Sequence, residues 1–322
     1  MEPPDDIACL RLPAPTIGAV NAWLLKGDPL TLVDTGPASD GALAAVEAGM
    51  AEHALRVEDL EQILLTHHHV DHCGLATRLA ERSGAPVRAV GALAAYGARF
   101  QERNAASARY TERLLTAHGV PAPLVAQANA PYWEILAEHG AAFTCDGVLA
   151  DGQIVRAGGR DLRTLHRPGH CSTDTLFVDD AAGIALVGDH VLARSSGCEI
   201  EPPAFGGSRP RALESYLANL RETAALELTL ALGGHGRPVA DPAAVIAERL
   251  EVHERRMTRL LELLADGPAT AFDLGVRIFG EDTTRAETVL VVWDVLGHLD
   301  VLRSRGAVTQ NSNRIQFTFC TT

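Results

Sequence analysis

The chain has 322 residues, of which 47% are hydrophobic, so it is long enough to bury the cores of two ordinary globular domains. Its formal net charge of −13 argues against a surface built to hold the phosphate backbone of a nucleic acid. No stretch approaches the roughly 20 apolar residues of a membrane span, which argues against a helical membrane protein.

The N-terminal segment and the cysteines both favour a reducing compartment. The first residues are acidic and no long apolar run follows them, whereas a secretory signal needs a basic start and an apolar segment. The 6 cysteines stand singly, without a C-x-x-C pair, as reduced thiols usually do. We therefore expect a cytoplasmic protein.

The first part of the chain alternates short strands with helices. Strands are predicted at residues 7–12, 18–25, 30–33, 63–66 and 86–90, and helices at 40–55 and 75–83. Residues 91–143 break this rhythm, and their composition predicts an insertion of about three helices. The insertion carries aromatic side chains that either pack it against the body or line a pocket for an apolar group: Tyr96, Phe100, Tyr110, Tyr132 and Trp133.

The second part contains further strands and then a different pattern. Strands are predicted at residues 153–155, 161–166, 175–178, 184–187 and 228–232, with a helix at 215–225. Asp241 caps the next helix, and Pro242 is its first residue. Helices at 250–264, 271–279 and 284–301 precede two short strands within 306–319, around a turn at 311–313. This pattern is typical of a winged-helix unit, so we predict one domain at residues 1–244 and another at 245–322.

Residues 66–74, THHHVDHCG, concentrate side chains that bind metal ions. His67, His69 and His72 supply imidazoles and Asp71 a carboxylate, directly after an apolar stretch. Zinc and similar divalent ions prefer imidazole nitrogen and carboxylate oxygen. A strand that presents the first ligands on alternate residues, followed by a turn with Asp71 and His72, would direct two ligand pairs at adjacent points. The segment therefore predicts a site for one or two metal ions.

Three later segments place a ligand-type residue beside glycine at the end of an apolar strand. They contain His170 in RPGHCS, Asp189 in LVGDH and His235 in LGGHG. Glycine lets the backbone turn sharply and approach a crowded site. Because the three segments share this context, their side chains are candidate ligands as well.

In this order, together with VDTG at residues 33–36, these motifs resemble those of the metallo-β-lactamase superfamily over roughly residues 7–240. The resemblance implies an α/β (α+β) fold, a four-layer αββα sandwich with the metal ions at one edge between two sheets. In this chain the sandwich would carry the helical insertion at about residues 91–143 and the C-terminal winged-helix-like domain.

The resemblance also implies a ligand set, position by position. Three side chains would hold the first metal ion: His67, His69 and His170. Three others would hold the second: Asp71, His72 and His235. Asp189 would bridge the two ions, and Asp34 would order the ligand loops as a supporting residue. Three further histidines fall outside the ligand pattern and are expected to be supporting or structural: His68, His166 and His190.

The implied cofactors are two divalent ions, expected to be Zn²⁺ with iron or manganese as alternatives. Two cations that share a carboxylate lie about 3.5–4 Å apart and lower the pKa of a bridging water toward about 7. The resemblance then implies hydrolysis by a bridging hydroxide without a covalent intermediate. Asp71 is the candidate catalytic residue because it would orient that hydroxide.

The C-terminal unit bears on the branch of the superfamily. A body followed by a winged helix is similar to the generic metallohydrolases that include β-lactamase-like protein 2, a ribonuclease, whereas glyoxalase II-like thioesterases carry a different C-terminal domain that contacts glutathione. Residues 248–322 contain nine arginines, no lysine and eleven acidic residues, whereas a nucleic-acid footprint should be basic. We therefore expect a structural or dimer-forming role for this unit.

Three classes of function follow. The first is hydrolysis of a small acyl substrate, an ester, a lactone or a thioester of coenzyme A or a carrier protein, which the aromatic insertion and the acidic surface favour. The second is a metal-dependent nuclease or phosphodiesterase. The similarity to the ribonuclease branch favours it, and the negative net charge of the chain opposes it. The third is an iron-dependent dioxygenase or a non-catalytic binding protein, because imidazole also suits iron. The expected partners are a small acyl molecule and a second copy of the chain, with neither nucleic acid nor membrane.

Overall fold

The computed structural model describes residues 2–14, 18–194, 197–203, 208–312 and 316–322. In this part of the chain, two sheets form the body. The first sheet contains six strands in chain order: β1 (Ile7–Ala14), β2 (Gly18–Leu25), β3 (Thr31–Val33), β4 (Gln62–Leu64), β5 (Val87–Val90) and β6 (Gly147–Leu149). The second contains five strands: β7 (Ile154–Ala157), β8 (Arg160–His166), β9 (Thr175–Asp179), β10 (Ile184–Gly188) and β11 (Leu230–Gly233). Their order across the sheet is β11–β10–β9–β8–β7.

Parallel pairing brings the ends of the ligand-bearing strands together. Strands β3 and β4 are parallel, with Val33 beside Leu64. Strands β10 and β11 are also parallel, with Gly188 beside Gly233. Strand β8 is antiparallel to β9, which is antiparallel to β10, so β8 runs in the direction of β10. Each predicted ligand segment therefore follows the carboxyl end of a strand at one edge of its sheet.

Helices cover the outer faces of both sheets. Their bounds are α1 (Asp40–Ala51), α2 (Val70–Cys73), α3 (Ala76–Ser83), α4 (Gly91–Gly97), α5 (Phe100–Ala117), α6 (Ala122–His139), α7 (Ala212–Ala224), α8 (Pro242–Leu264), α9 (Ala271–Phe279), α10 (Glu281–Ala286) and α11 (Thr288–Ser304). A C-terminal hairpin of β12 (Val308–Ser312) and β13 (Phe317–Thr321) completes the described elements. Residue 313 of the predicted turn lies outside the described residues.

Successive side chains along each strand point to opposite faces of the sheet, so each sheet packs against the other sheet on one face and against helices on the other. On the inner face Trp23, Val33 and Leu64 pack against Phe177 and Leu186 of the second sheet. The intervening residues of the same strands, such as Leu24, Leu32 and Ile63, face outward and pack with α1 and α3. Each fully buried side chain of this size stabilises the fold by about 1.5–3 kcal/mol. The mixed α/β architecture implied by the sequence is therefore present.

The structure corrects several predicted bounds. Strand β4 ends at Leu64, so His67 and His69 lie in an extended stretch beyond it, and Asp71 lies in the one-turn helix α2 rather than in a turn. The helix predicted at 40–55 ends at Ala51, because the chain reverses through Ala54 at a φ of 57°. The helix predicted at 284–301 is two helices, α10 and α11, separated at Glu287. Strand β6 was not predicted.

The insertion contains the three predicted helices α4, α5 and α6. Phe100 and Trp133 are buried, and the buried ring of Tyr96 stacks on His68 with 3.9 Å between centroids. Tyr132 is half-buried and lies edge-on to Trp293 of α11, 5.9 Å away. Most of these rings therefore pack the insertion against the rest of the molecule.

The C-terminal helices share a core with the body. Helix α8 runs without a break through residues 244 and 245, where the predicted domain boundary lies. One hydrophobic cluster joins Trp133 of the insertion and Tyr216 of α7 to Val292 and Leu296 of α11. Asp241 and Thr270 cap α8 and α9 as predicted, since each side chain accepts a hydrogen bond from the first turn of its helix. The division into two domains stays a prediction.

His118 makes this core sensitive to acid. Its buried ring lies between α5 and the hairpin, 5.2 Å from Phe317 and 5.8 Å from Phe319. Burial, with Arg209 and Arg303 adding to it, lowers the pKa of His118 to about 3. The unfolded chain, with a pKa near 6.5, takes up this proton first, so acid favours unfolding.

We expect the contribution of His118 to the free energy of unfolding to be constant above about pH 6.5 and to fall as the pH drops toward 3, by up to about 1.4 kcal/mol per pH unit. The variant His118→Phe should show a shallower slope in urea unfolding measured from pH 7.5 to 4.5. Equal slopes for the two proteins would contradict this assignment.

Candidate metal centre

Three of the predicted ligands converge at the ends of β4 and β8. His69 Nδ1 lies 2.9 Å from His170 Nε2. His67, His69 and His170 offer ring nitrogens that all lie within 4.8 Å of one another. Each second ring nitrogen is engaged elsewhere: His67 Nδ1 with Thr66 Oγ1, His69 Nε2 with Glu199 and His170 Nδ1 with the Gly197 carbonyl. The inner nitrogens are therefore available for a cation.

A second group forms beside the first. Asp71 Oδ2 lies 3.4 Å from His72 Nε2 and 3.1 Å from His235 Nε2. His235 Nδ1 donates to the Ala19 carbonyl at 2.8 Å, which turns its Nε2 toward the group. The candidate ligand atoms of these three side chains also lie within 4.8 Å of one another. Six predicted ligands therefore lie in two neighbouring groups, and a further group of Asp34, His67 and His72 overlaps both.

Asp189 lies between the two groups. Its carboxylate oxygens are 3.6 Å from His170 Nε2, 3.5 Å from His72 Nε2 and 3.4 Å from His235 Nε2. It therefore contacts members of both sets, as a bridging carboxylate must. The side chains of His69 and His235 remain 26% and 23% exposed, so the centre opens to solvent on that side.

Asp34 supports the centre from behind. Its oxygens accept hydrogen bonds from the Thr66 backbone N–H, from Thr66 Oγ1 and from His72 Nδ1, each at 2.8 Å. Because Thr66 Oγ1 donates to Asp34, it accepts from His67 Nδ1 and fixes that ring too. Asp34 adopts a φ of 62°, a conformation rare for non-glycine residues, which this network holds in place. Its geometry is that of a positioning carboxylate.

The carboxylates of the centre favour a bound cation electrostatically. Burial alone would lower the pKa of His72, but Asp71, Asp189 and Asp34 outweigh it and raise this pKa to about 10. Burial together with the neighbouring imidazoles lowers the pKa of His67. Among the described residues, the buried Nε2 atoms of His67 and His72 have no hydrogen-bond partner. Buried imidazole nitrogens without a hydrogen-bond partner, in a site that also contains carboxylates, fit divalent metal ions.

Two glycines allow this crowding, as the strand–glycine–ligand context predicted. A Cβ on Gly234 would lie 2.2 Å from His72 Cε1 and 2.6 Å from Asp189 Oδ1. A Cβ on Gly188, whose φ is 49°, would lie 2.7 Å from Thr66 Oγ1. Both positions therefore require glycine because the metal-site side chains occupy the space.

The remaining histidines of the motifs lie around the centre. His68 points away from it, stacked on Tyr96 and engaged with Thr173. His190 bonds Thr223 at 2.9 Å, and burial lowers its pKa to about 4. His166 contacts the Ser172 carbonyl through Nε2 at 3.0 Å. None of these rings belongs to the two ligand groups.

Sequence reasoning missed two carboxylates near the centre, the buried Glu199 and the half-buried Glu201. Glu199 Oε2 lies 3.1 Å from His69 Nε2 and 3.2 Å from His68 Nε2. Glu201 accepts hydrogen bonds from the backbone N–H and the hydroxyl of Ser172, at 2.6 and 2.8 Å. Neither glutamate belongs to a ligand-like motif or follows a strand. The one sequence signal that could have found them is their position in a largely uncharged segment, Cys198 to Pro203.

Comparison with known proteins places the chain in a family. Residues 15–235 match the family model described as the metallo-beta-lactamase superfamily. The chain is 31% identical to the probable metallo-hydrolase YqjP of Bacillus subtilis over 95% of its own length and 94% of that protein. It is 28% identical to an atrochrysone carboxyl ACP thioesterase of Aspergillus terreus, over 36% of this chain and 33% of the other.

A solved structure supports the fold over the whole chain. The metallo-beta-lactamase family protein TTHA1429 from Thermus thermophilus superposes with a TM-score of 0.82 at 29% identity, covering 98% of this chain and 99% of that one. The similarity includes the insertion and the C-terminal helices. Separately, a search of the described helices finds none that combines the length and apolar character needed to span a bilayer.

Proposed function

Because the chain belongs to the metallo-β-lactamase superfamily, we propose that it is a binuclear metal-dependent hydrolase that cleaves a small ester, thioester or lactone. The observation that carries the proposal is the pair of ligand groups with Asp189 between them. Two divalent ions held there, for which we propose Zn²⁺, would activate a water molecule and polarise the scissile carbonyl.

The residues of the chain have separate roles in this proposal. His67, His69 and His170 would hold one ion, and Asp71, His72 and His235 the other. Asp71, whose Oδ2 faces the centre beside His235, would also orient the attacking water. The thiols nearby are directed elsewhere, since Cys73 Sγ donates to the His68 carbonyl and Cys171 Sγ to Asp174. The water would therefore attack directly, without an acyl-enzyme.

The acyl substrate class rests on charge and on similarity. A net charge of −13 disfavours the polyanionic substrates of a nuclease. One relative is named as a thioesterase for a carrier-protein substrate, which supports an acyl thioester as the bond cleaved. We therefore propose an acyl thioester of coenzyme A or a carrier protein as the first substrate to test.

We also propose that α9 to α11 and the hairpin form a winged-helix-like unit and that its role is structural. Helix α11, which would read DNA in a winged helix, instead buries Val292, Trp293 and Leu296 in the shared core. A buried helix leaves few side chains for base edges. The region also carries more acidic than basic residues.

Metal-loaded enzyme assayed against acyl-CoA, aryl ester, lactone and phosphodiester substrates tests the function. We expect acyl substrates to be cleaved and the double variant His67→Ala/His69→Ala to lose about 1,000-fold or more in kcat/KM, because two ligands of one ion are gone. Phosphodiester cleavage alone would favour a nuclease. Oxygen uptake by iron-loaded enzyme without hydrolysis would favour a dioxygenase.

A further inference from the structure

We propose that Glu199 is a positioning residue that sets the tautomer of His69 and thereby makes one of the two metal sites. The inference rests on the proposed binuclear function. Glu199 lies outside every recognisable motif, yet its carboxylate is 8% exposed and faces two adjacent histidines of the THHHVDH run. It touches His69 on the side opposite to the metal centre.

The hydrogen-bond chain begins at Thr173. Its Oγ1 accepts the backbone N–H of His68 at 3.0 Å and lies 2.9 Å from His68 Nδ1. Because the carboxylate of Glu199 faces Nε2 and only accepts, the ring proton of His68 is on Nε2, and the Thr173 hydroxyl donates to Nδ1. That Nε2–H donates to Glu199 Oε2 at 3.2 Å. His68 therefore holds the carboxylate in place without taking part in the metal centre.

The same oxygen determines the state of His69. Because a carboxylate only accepts, the contact of 3.1 Å requires the ring proton of His69 on Nε2. Nδ1 then keeps its lone pair, and it faces His170 Nε2 at 2.9 Å, where a cation would lie. Without Glu199 both tautomers of His69 become accessible, and only one of them binds metal through Nδ1.

The surrounding segment acts on His170 as well. Glu199 donates its backbone N–H to the His170 carbonyl at 2.7 Å. Two residues earlier, the Gly197 carbonyl accepts from His170 Nδ1 at 2.5 Å. Residues 197–199 therefore hold two of the three ligands of one group. The other group has different supports, since Asp34 holds His72 and the Ala19 carbonyl holds His235.

The supports are separable, so a change at Glu199 should affect one site more than the other. The test titrates metal-free protein with Zn²⁺ against a chromophoric chelator and repeats the titration with Co²⁺ by visible absorption. Wild type should bind two ions per chain. Glu199→Gln should weaken one site about 10- to 100-fold and Glu199→Ala more strongly, with the second site retained.

Glu201→Gln is the matched control, because Glu201 is a neighbouring half-buried glutamate whose carboxylate bonds Ser172 and none of the seven proposed ligands. It should bind both ions as wild type does. The proposal is overturned if Glu199→Ala binds two ions with wild-type affinity, or if both sites weaken equally in Glu199→Gln while circular dichroism stays native. If Glu199→Ala does not fold, the metal titration of the isosteric variant Glu199→Gln decides whether the proposal holds.

The titration and the substrate panel separate the two proposals. One weakened site in Glu199→Gln with no acyl hydrolysis by wild type would support the role of Glu199 and contradict the hydrolase. Two unchanged sites in Glu199→Gln, with normal acyl hydrolysis by wild type, would contradict the role of Glu199 and support the hydrolase. Failure of wild type to bind metal would overturn both.

Discussion

Asp189→Asn is expected to lower kcat/KM about 1,000-fold, roughly 4 kcal/mol of transition-state stabilisation, and to weaken binding of both metal ions. The substitution keeps the shape of the side chain and removes its negative charge. Asp189 lies within 3.6 Å of ring nitrogens from both ligand groups, so the two sites lose a shared charge together. Neutral asparagine is a poor substitute for a bridging carboxylate.

The measurement combines steady-state kinetics with metal content after dialysis. Asp180→Asn is the matched control. Asp180 is an exposed aspartate directly after β9 that forms an ion pair with Arg163, and exposed ion pairs contribute little to stability. It should retain wild-type activity. Full metal content and activity in Asp189→Asn would refute the bridging role.

Gly234→Ala is expected to lower kcat/KM about 100-fold with little loss of global stability. The added methyl group would lie 2.2 Å from His72 Cε1 and 2.6 Å from Asp189 Oδ1, so one of the two must move. Displacing a ligand by about 1 Å costs roughly 100-fold in rate. We expect zinc at the Asp71, His72 and His235 group to be lost first.

Thermal unfolding and zinc titration distinguish this effect from misfolding. Gly41→Ala is the control, since its Cβ would meet only Pro13 Cγ at 3.7 Å, in helix α1. That variant should be neutral or stabilised by about 0.5–1 kcal/mol, because alanine loses less backbone entropy than glycine in a helix. Normal zinc affinity in Gly234→Ala would show that the backbone relaxes freely there.

The C-terminal region contributes more to the body than the sequence pattern indicated. Arg249 of α8 donates to the Leu192 carbonyl at 2.8 Å and to the hydroxyl of Tyr216 in α7 at 3.3 Å, and Tyr216 in turn donates to the His190 carbonyl at 2.9 Å. The bonds to the two carbonyls hold the loop that follows Asp189. Trp293 also packs beside Tyr132 of the insertion. The region therefore supports both the metal loop and the insertion.

Much of the fold and of the candidate site could be predicted from residue types within short segments of the sequence. Imidazoles and carboxylates next to glycines, at strand ends, predicted which seven side chains converge, because few other roles require those residue types in those places. Periodicity predicted the strands of both sheets except β6, composition predicted the three helices of the insertion, and the caps Asp241 and Thr270 predicted two helix starts. Each of these signals is contained within a few adjacent residues.

Only the tertiary structure decided what supports those side chains. Glu199 meets His69 across 130 positions of sequence, and Asn21 holds the Gly233 carbonyl across 212, so no local pattern records either contact. The split of α10 from α11 and the shared core of α8 likewise depend on packing between distant segments. Candidate ligands can be recognised from residue type and spacing, whereas the orientation of their side chains is set by hydrogen bonds that exist only after the chain has folded.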